Sequence, residues 1–311
     1  MVALNIYAQQ GNRSVHLREI YQLGEKEHQA FVQVGEVAAD SKGSVFVTDR
    51  FQYSIKKFNS RGVFQKEFGK RGKKTGEFRA VPYNIDCMHD TVAVVEVGTE
   101  RVQFFSDDLQ PIGEMTTAGP VADMAYNNSG CIFASVIPLS GRKEDVVMLY
   151  DKRGKIVSKV PLSDVTGQPA MDMILLCTDL KDRLIVAYQY RNRIEIYSEN
   201  IQMIHQFSVS GLPKQAGVNT MYVEKLGALP EGKLILDLST DSAGHIFILG
   251  GDYSTHPNQD VYVYDYDGNP LTTFILPEQS GILYIDKQGF LYTREKHRRV
   301  IKKYAITRVN F

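Results

Sequence analysis

Short hydrophobic runs alternate with polar turns along the whole chain, and the pattern recurs. In DSKGSVFVTD (residues 40–49) a polar turn leads into a run of β-branched and aromatic residues. Runs of this kind between turn residues predict β-strands. Six copies of the pattern begin at Asp40, Cys87, Asn127, Asp179, Asp241 and Asp286.

A second apolar run follows each copy, with an aliphatic residue first and an aromatic residue fourth, as in residues 55–58. The distance between the starts of the two runs is 15 residues in four copies and 20 residues in two. The two longer copies therefore carry an insertion of the same length. This regularity indicates internal repeats, which identify a repeat architecture before single elements are assigned.

Another apolar run precedes each turn, and a further strand follows most second runs, which makes four strands per repeat. Six such repeats predict an all-β fold, a six-bladed β-propeller of four-stranded antiparallel blades. We expect a tail over residues 1–12 and one propeller over residues 13–311. The expected blades are residues 36–69, 81–115, 121–160, 171–207, 234–276 and 281–311, the last completed by residues 15–23.

The N-terminal segment predicts how the ring closes. The last repeat has only three strands, which leaves an open sheet edge that invites association. VHLREIYQLG (residues 15–24) is similar to GVFQKEFG (residues 62–69), the fourth strand of the first repeat. We therefore expect the N-terminal strand to become the outer strand of blade six.

Composition changes this picture little. The 36 Lys and Arg residues balance the 36 Asp and Glu residues, so net charge gives no reason to expect nucleic acid or a membrane as partner. Cys87, Cys131 and Cys177 lack metal or redox spacing and predict buried thiols. No apolar run reaches about 18 residues, so no transmembrane helix is expected. The opening MVALNIYAQQ resembles the remnant of a signal peptide but lacks its basic end, which favours export and leaves the cytoplasm open.

Residues 69–78 carry the pattern G-x-x-G-x-x-x-G-x-F, which resembles the linker between blades of NHL-repeat propellers. Residues 192–194 are similar to the N-x-R-I element of the third strand in that family. Asp49 with Arg50, and Glu96 with Arg101, stand where the family keeps an acid and an arginine. The resemblance implies the six-bladed fold over nearly the whole chain. NHL and related propellers include protein-interaction modules, RNA binders, lactonases and amidating lyases, so the fold does not select a function.

The sequence lacks the common signatures of catalysis. There is no G-x-S-x-G elbow, no H-E-x-x-H, no P-loop and no G-x-G-x-x-G. The seven histidines are scattered singly, whereas an amidating lyase of this type is expected to cluster histidine around a metal. These observations favour a non-catalytic protein.

One set of positions nevertheless predicts a site in the central channel. Inner strands surround the channel of a propeller, so acids at one register could converge at its mouth as oxygen ligands of a Ca²⁺-type cation. This resembles the metal site of sugar-lactone hydrolases, where a metal activates water or polarises a carbonyl. The alternative is solvated carboxylates that bind no metal, and Asp172 replaces Leu175 in the set if its strand starts earlier. The positions four residues before each turn are Glu36, Tyr83, Asp123, Leu175, Asp237 and Ile282.

Enlarged loops predict a second candidate surface on the same side as the channel mouth. The loops are residues 138–145 and 251–260, and a long connector covers residues 208–233. Loops on a rigid scaffold often bind ligands, although neutral drift in loop length is the alternative. The candidate residues of this loop face are Arg142, Lys143, Tyr253 and His256.

Charge is unevenly distributed among the repeats. Residues 56–79 carry a net charge of +7 and residues 294–308 one of +6, while residues 237–286 carry −8. We call the exposed cations expected in the first and last blades the basic sector. Such a sector would steer an anionic partner, such as RNA, an acidic protein or an anionic glycan. Against RNA, the nearby aromatic residues fall at core positions of strands, Phe58 among them. The basic sector comprises Lys70, Arg71, Lys73, Lys74, Arg298 and Arg299.

The sequence therefore favours a binding or scaffold propeller that recognises a protein or polymeric ligand through one loop face. The second hypothesis is a metal-assisted lactonase, hydrolase or lyase with its site at the channel mouth. The third is binding of RNA or another polyanion by the basic sector. No cofactor is expected apart from a divalent cation under the second hypothesis, and a monomer is the default oligomeric state.

Overall fold

The computed structural model describes residues 14–26, 29–136, 146–223, 227–295 and 299–309, and within them every named element is a β-strand. Strand β1 is Ser14–Leu23. Blade one contains β2 (Val34–Ala39), β3 (Val45–Asp49), β4 (Ser54–Phe58) and β5 (Phe64–Phe68). Blade two contains β6 (Pro82–Met88), β7 (Thr91–Glu96), β8 (Arg101–Ser106) and β9 (Pro111–Thr116). Blade three contains β10 (Val121–Tyr126), β11 (Ile132–Val136), β12 (Val147–Tyr150) and β13 (Ile156–Lys159). Blade four contains β14 (Ile174–Thr178), β15 (Leu184–Tyr188), β16 (Ile194–Tyr197) and β17 (Met203–Phe207).

A hairpin of β18 (Val218–Val223) and β19 (Gly227–Pro230) lies in the connector to blade five, where the sequence predicted only a long connector. Blade five contains β20 (Ile235–Thr240), β21 (Ile246–Gly250), β22 (Asp260–Tyr264) and β23 (Pro270–Ile275), and blade six contains β24 (Ser280–Ile285), β25 (Phe290–Glu295) and β26 (Ile301–Val309). Each blade is a separate antiparallel sheet whose strands follow chain order from the channel outward. The predicted all-β, six-bladed propeller is confirmed. The described residues include no helix long and apolar enough to cross a membrane.

Ring closure also follows the prediction. Strand β1 pairs antiparallel with β26, from Ser14 opposite Val309 to Leu23 opposite Ile301. The sheet order β1-β26-β25-β24 makes the N-terminal strand the outer strand of blade six. The edge of β26 is therefore covered, and one sheet contains both ends of the described chain.

The hydrophobic core consists of six clusters, each formed where two neighbouring blades face one another. Between blades six and one, for example, Phe31, Phe58 and Tyr292 pack together, and all three are buried. Phe58 also contacts Phe64 edge to face, with ring centroids 5.7 Å apart. The core position predicted for Phe58 is thus observed.

Inner strands of neighbouring blades do not pair, so their facing backbone groups need other partners. At every junction between blades, a side chain forms a hydrogen bond with such a backbone group, and we call these contacts the inter-blade hydrogen bonds. Five of them join the inner strands of neighbouring blades, and the one from Thr48 ties β3 of blade one to the inner strand of blade two. They are Thr48 Oγ1 to Tyr83 O (2.9 Å), Tyr126 N to Asp86 Oδ2 (2.7 Å), Leu176 N to Asp123 Oδ2 (2.7 Å), Thr240 Oγ1 to Thr178 O (3.1 Å), Leu283 N to Asp237 Oδ2 (2.6 Å) and Ala39 N to Tyr284 Oη (3.1 Å).

The glycine-rich connector of residues 69–78 has the geometry of a blade linker. Gly69 and Gly76 have φ angles of +114° and +83°, a region in which side chains other than glycine are strained. Phe78 ends the linker inside the core, where it is fully buried. The Glu96 carboxylate accepts hydrogen bonds from the Ala80 amide (2.9 Å) and from Arg101 Nη1 (3.1 Å). The linker is therefore anchored by a buried ion pair.

The corresponding anchor in blade one differs from the sequence expectation. The Asp49 carboxylate accepts hydrogen bonds from the Val32 and Gln33 amides at 2.8 and 3.1 Å. Its cationic neighbour is the buried Lys56, with Nζ 3.9 Å from Oδ2, and not Arg50. Arg50 follows the end of β3 and points instead into the channel, over the ring of Tyr83.

Candidate functional site

A cavity of about 410 Å³ runs along the ring axis and is lined by residues of all six inner strands. We call its two ends the connector side, where connectors enter the inner strands, and the turn side, where first strands turn into second strands. Five inner strands have an irregular register near their connector-side start, and only β14 pairs without one. Such bulges redirect side chains and are frequent beside functional sites.

The predicted positions of the inner strands are mostly correct. Glu36, Tyr83, Asp123, Leu175 and Asp237 all line the cavity. Ile282 is not among the lining residues, because its side chain is fully buried in the core between blades six and one. We define the channel mouth as Glu36, Arg50, Tyr83, Asp123, Lys233 and Asp237, which line the connector-side part of the cavity.

Two of the three acids at the mouth have a structural task. Asp123 accepts the Leu176 amide of the next blade at 2.7 Å and the Asn84 side-chain amide on its other oxygen. Asp237 accepts the Leu283 amide at 2.6 Å on one oxygen and the Leu238 amide at 2.9 Å on the other. Both carboxylates therefore take part in the inter-blade hydrogen bonds.

Burial dominates the protonation of these two acids. It raises the pKa of Asp123 well above its usual range, and it raises the pKa of Asp237 to about 7 against the opposing effect of two backbone amides. Both groups consequently carry less negative charge near neutral pH than exposed aspartates would.

Glu36 differs from both, because no backbone amide donates to its carboxylate among the hydrogen bonds of the described residues. Burial and the charge of Asp237 raise its pKa, while Arg294 and a hydrogen bond from Tyr83 act in the opposite direction. The charge of Glu36 and burial in turn raise the pKa of the Tyr83 hydroxyl. Glu36 and Tyr83 are thus the acid and the hydroxyl that remain able to face a ligand.

The structure does not assemble the predicted acids into a metal centre. Within the described ranges no three His, Cys, Asp or Glu side chains are placed to hold a metal ion. The physical reason is that Asp123 and Asp237 direct their oxygens at backbone amides of neighbouring strands. Asp172 does not enter the channel either: it accepts the Thr166 and Gly167 amides and pairs with Arg191 at 2.9 Å.

Two cations of the mouth were not predicted as site residues. Arg50 directly follows β3 and stacks over the Tyr83 ring at 5.0 Å, and Lys233 lies just before β20. Both line the cavity and are half-buried. Both residues lie at the connector-side ends of strands. The acids were selected by a position of this kind, so the sequence could have identified the two cations in the same way.

The loop face is only partly described. Tyr253 is half-buried and its hydroxyl accepts the Gly217 amide at 2.8 Å, so it fastens the connector that carries the β18–β19 hairpin. His256 is more exposed, and its Nδ1 lies 2.9 Å from Asp260 Oδ1. The predictions for Arg142 and Lys143 fall outside the described residues.

The basic sector is smaller than its charge count suggested. Lys56, Lys302 and Lys303 are 2–4% exposed and each has an acid within 4 Å, so they belong to the blade interior. Five residues of the basic sector are exposed, as a surface patch requires: Lys70, Arg71, Lys73, Lys74 and Arg299. Lys70 pairs with Glu77 at 3.4 Å, and Arg298 lies outside the described residues.

Comparison with known proteins supports the fold and nothing finer. No protein-family model and no curated protein sequence matches the chain. Among solved structures, a member of the DUF4221 family from Bacteroides vulgatus has a TM-score of 0.64 at 12% identity, over 97% of this chain and 100% of that one. Virginiamycin B lyase from Staphylococcus aureus has a TM-score of 0.58 at 9% identity, with 97% and 94% covered. The RRP9 WD40 repeats give 0.59 at 10% identity, with 93% and 98% covered. A lyase and a set of WD40 repeats are thus both similar to this chain in fold.

Proposed function

We propose that this protein is a non-catalytic binding propeller of the NHL-like type whose ligand occupies the channel mouth and contacts the loops around it. The observation that carries the proposal is the cavity itself: a preformed space of about 410 Å³ with charged and aromatic side chains on a rigid ring. Concave sites with a few placed polar groups and perturbed pKa values are where ligands bind.

The rim of the mouth also supports binding rather than a purely structural channel. Phe51 is 61% exposed in the loop after β3, and Val97 is 40% exposed in the loop after β7. Both loops lie on the connector side, where Phe51 directly follows Arg50 in the chain and Val97 lines the cavity. Apolar side chains at the edge of a polar cavity can cover a bound ligand or contact a protein or polymer that inserts one group into the mouth.

A blocking variant tests the proposal without changing any charge. Leu175→Trp places a large side chain in the cavity from β14, an inner strand that contributes no acid or cation to the mouth. A library of small polar molecules is screened by thermal shift against the wild type and this variant, with Ile112→Trp at an exposed position on the outer strand of blade two as the matched control. We expect ligands that stabilise the wild type and Ile112→Trp but not Leu175→Trp. Ligands that stabilise all three proteins equally would place the site elsewhere.

A second candidate function is acid–base catalysis, a lyase or hydrolase reaction at the same mouth. It is favoured by the proximity of Glu36 to Tyr83 and by the pKa of about 7 for Asp237, since a catalytic acid or base works best near the ambient pH. The fold similarity to virginiamycin B lyase is compatible with it. A turnover screen with lactones and esters, with and without added divalent metal, decides the matter. Activity that is lost in Glu36→Gln would favour catalysis over binding alone.

A further inference from the structure

Among the residues that the structure describes, the buried cations outside the channel have acidic partners. Lys302 lies 3.2 Å from Glu295, Lys303 lies 3.4 Å from Asp286, and Arg191 lies 2.9 Å from Asp172. Arg101 and Lys56 are paired in the same way, with Glu96 and Asp49. This is the usual arrangement, because a buried charge without a partner is costly.

Lys233 has no such partner, although it is less buried than these five cations. Its side chain is half-buried in the channel mouth, yet across the described ranges its Nζ makes no hydrogen bond and no ion pair within 4.0 Å. Burial lowers the pKa of this lysine, and the more distant charges of Glu36, Asp237 and Asp252 only oppose that effect. Two of these carboxylates are engaged elsewhere, since Asp237 accepts two backbone amides and Asp252 accepts the Lys233 amide itself.

Arg50 is a second half-buried cation that lines the same cavity. Its guanidinium contacts the Tyr83 ring, but its buried Nε has no hydrogen-bond partner in the described part of the chain. Arg294, on the neighbouring strand β25, shows the contrast: its Nη1 donates to the carbonyls of Val34 and Gly35 at 3.0 and 2.9 Å. The mouth therefore holds two unpaired cations that face three acids of reduced negative charge.

We infer that the ligand of the channel mouth is a small organic anion, and that Arg50 and Lys233 hold its anionic group. This inference rests on the proposed function. An arginine fork binds carboxylate or phosphate through two parallel hydrogen bonds, and a lysine adds a mobile point charge. The anionic group offsets the cost of leaving these cations half-buried, and the cavity volume of about 410 Å³ suits a small molecule.

Proton uptake should accompany binding. A bound anion disfavours the ionised forms of Glu36 and Asp237 and favours the protonated form of Lys233, so all three titrations shift towards holding a proton. The other charged or titratable groups that act on them are Tyr83, Asp123, Asp252 and Arg294. Affinity should consequently increase as the pH falls from about 8 to 6, provided that the anion itself stays ionised.

Isothermal titration calorimetry with matched probes tests the inference. Glutarate represents carboxylates and glucose 6-phosphate represents phosphate esters, while glucose is the neutral counterpart of the latter. We expect the wild type to bind at least one of the two anions at millimolar concentration or below, with a heat that changes with the ionisation enthalpy of the buffer. Lys233→Met and Arg50→Gln should each weaken that binding by about tenfold or more, and Lys66→Gln should leave it unchanged.

The results separate the two levels of the proposal. Binding of neither anion, equal binding of glucose and glucose 6-phosphate, or unchanged affinity in Lys233→Met would overturn the anion inference. In each case the proposed function still stands if the library yields a ligand that Leu175→Trp excludes. Anion binding that survives in Leu175→Trp would instead contradict the channel mouth as the site. The arm that binds identifies the anion as a carboxylate or a phosphate.

Discussion

Buried charge is handled differently in the blades and in the channel mouth. In blade two, Arg101 satisfies Glu96 at 3.1 Å, and this pair holds the linker that enters the blade. In the mouth, Arg50 and Lys233 have no acid partner within the described ranges, although the mouth also contains three carboxylates. The blades use charge to fix their own connectors, so no ligand is needed there. The channel mouth keeps its cationic groups available to a ligand, on a ring of blades that is already rigid.

The largest loss of stability is expected when the ring of blades is opened. Deleting residues 1–23 removes β1, exposes the edge of β26 and takes the buried Val15, Leu17 and Leu23 out of the core. Each buried aliphatic side chain contributes about 1.5–3 kcal/mol, and a domain of this kind is stable by only about 5–15 kcal/mol. Denaturant unfolding should therefore show that most of the stability is lost. A truncated protein with the midpoint of the full chain would contradict closure by β1.

Arg101→Met tests the paired cations of the blades. The substitution leaves Glu96 buried without its cation, and we expect a loss of about 3–5 kcal/mol in the free energy of unfolding. Arg50→Met is the matched control, since Arg50 has no ion pair to lose, and it should change stability by less than about 1 kcal/mol. Equal losses in the two variants would remove the distinction between blade and mouth.

Asp237→Asn applies the same comparison to the acids. The new amide cannot accept both the Leu283 and the Leu238 N–H groups, so we expect a loss of about 1–3 kcal/mol on denaturant unfolding at neutral pH. Glu36→Gln breaks no hydrogen bond to a backbone amide and should cost clearly less. If Glu36→Gln were the more destabilising variant, Glu36 and not Asp237 would be the structural acid.

The pH dependence of stability gives a further test of the acids. The pKa of Asp237 is raised to about 7 in the folded protein and that of Asp86 to about 6, from ordinary values near 3.9 in the unfolded chain. Because the folded state holds these protons more tightly, their contribution is fully present below about pH 4 and is lost as the pH rises to about 7. Asp237→Asn should flatten the upper part of this decline in unfolding free energy. An identical slope in both proteins would show that Asp237 is ionised throughout.

The sequence predicted the ring of blades better than the candidate site at the channel mouth, for a physical reason. Strand periodicity and repeat spacing are local properties, so they identified six blades, the closing strand and the core position of Phe58. The partners of Asp123 and Asp237 lie one blade away: Leu176 is 53 residues from Asp123 in the chain. No local pattern shows that these oxygens are occupied. Counting charges along the chain likewise merged the buried Lys302 and Lys303 with exposed cations such as Lys73.

The smallest effect on stability is expected from Lys233→Met, and its contrast with Lys302→Met is the most direct test of the comparison. Methionine keeps the apolar stem of either lysine and removes the charge. At position 302 this removes the buried cation that lies 3.2 Å from Glu295 and 2.5 Å from Glu278, and a loss of about 1–3 kcal/mol should follow. At position 233 no ion pair is lost and a half-buried charge is removed, so stability should stay within about 0.5 kcal/mol or increase. Denaturant unfolding of both variants at low salt measures the difference. A similar loss of stability in both variants would mean that Lys233 already has a structural partner. The cations of the channel mouth would then be structural, like those of the blades.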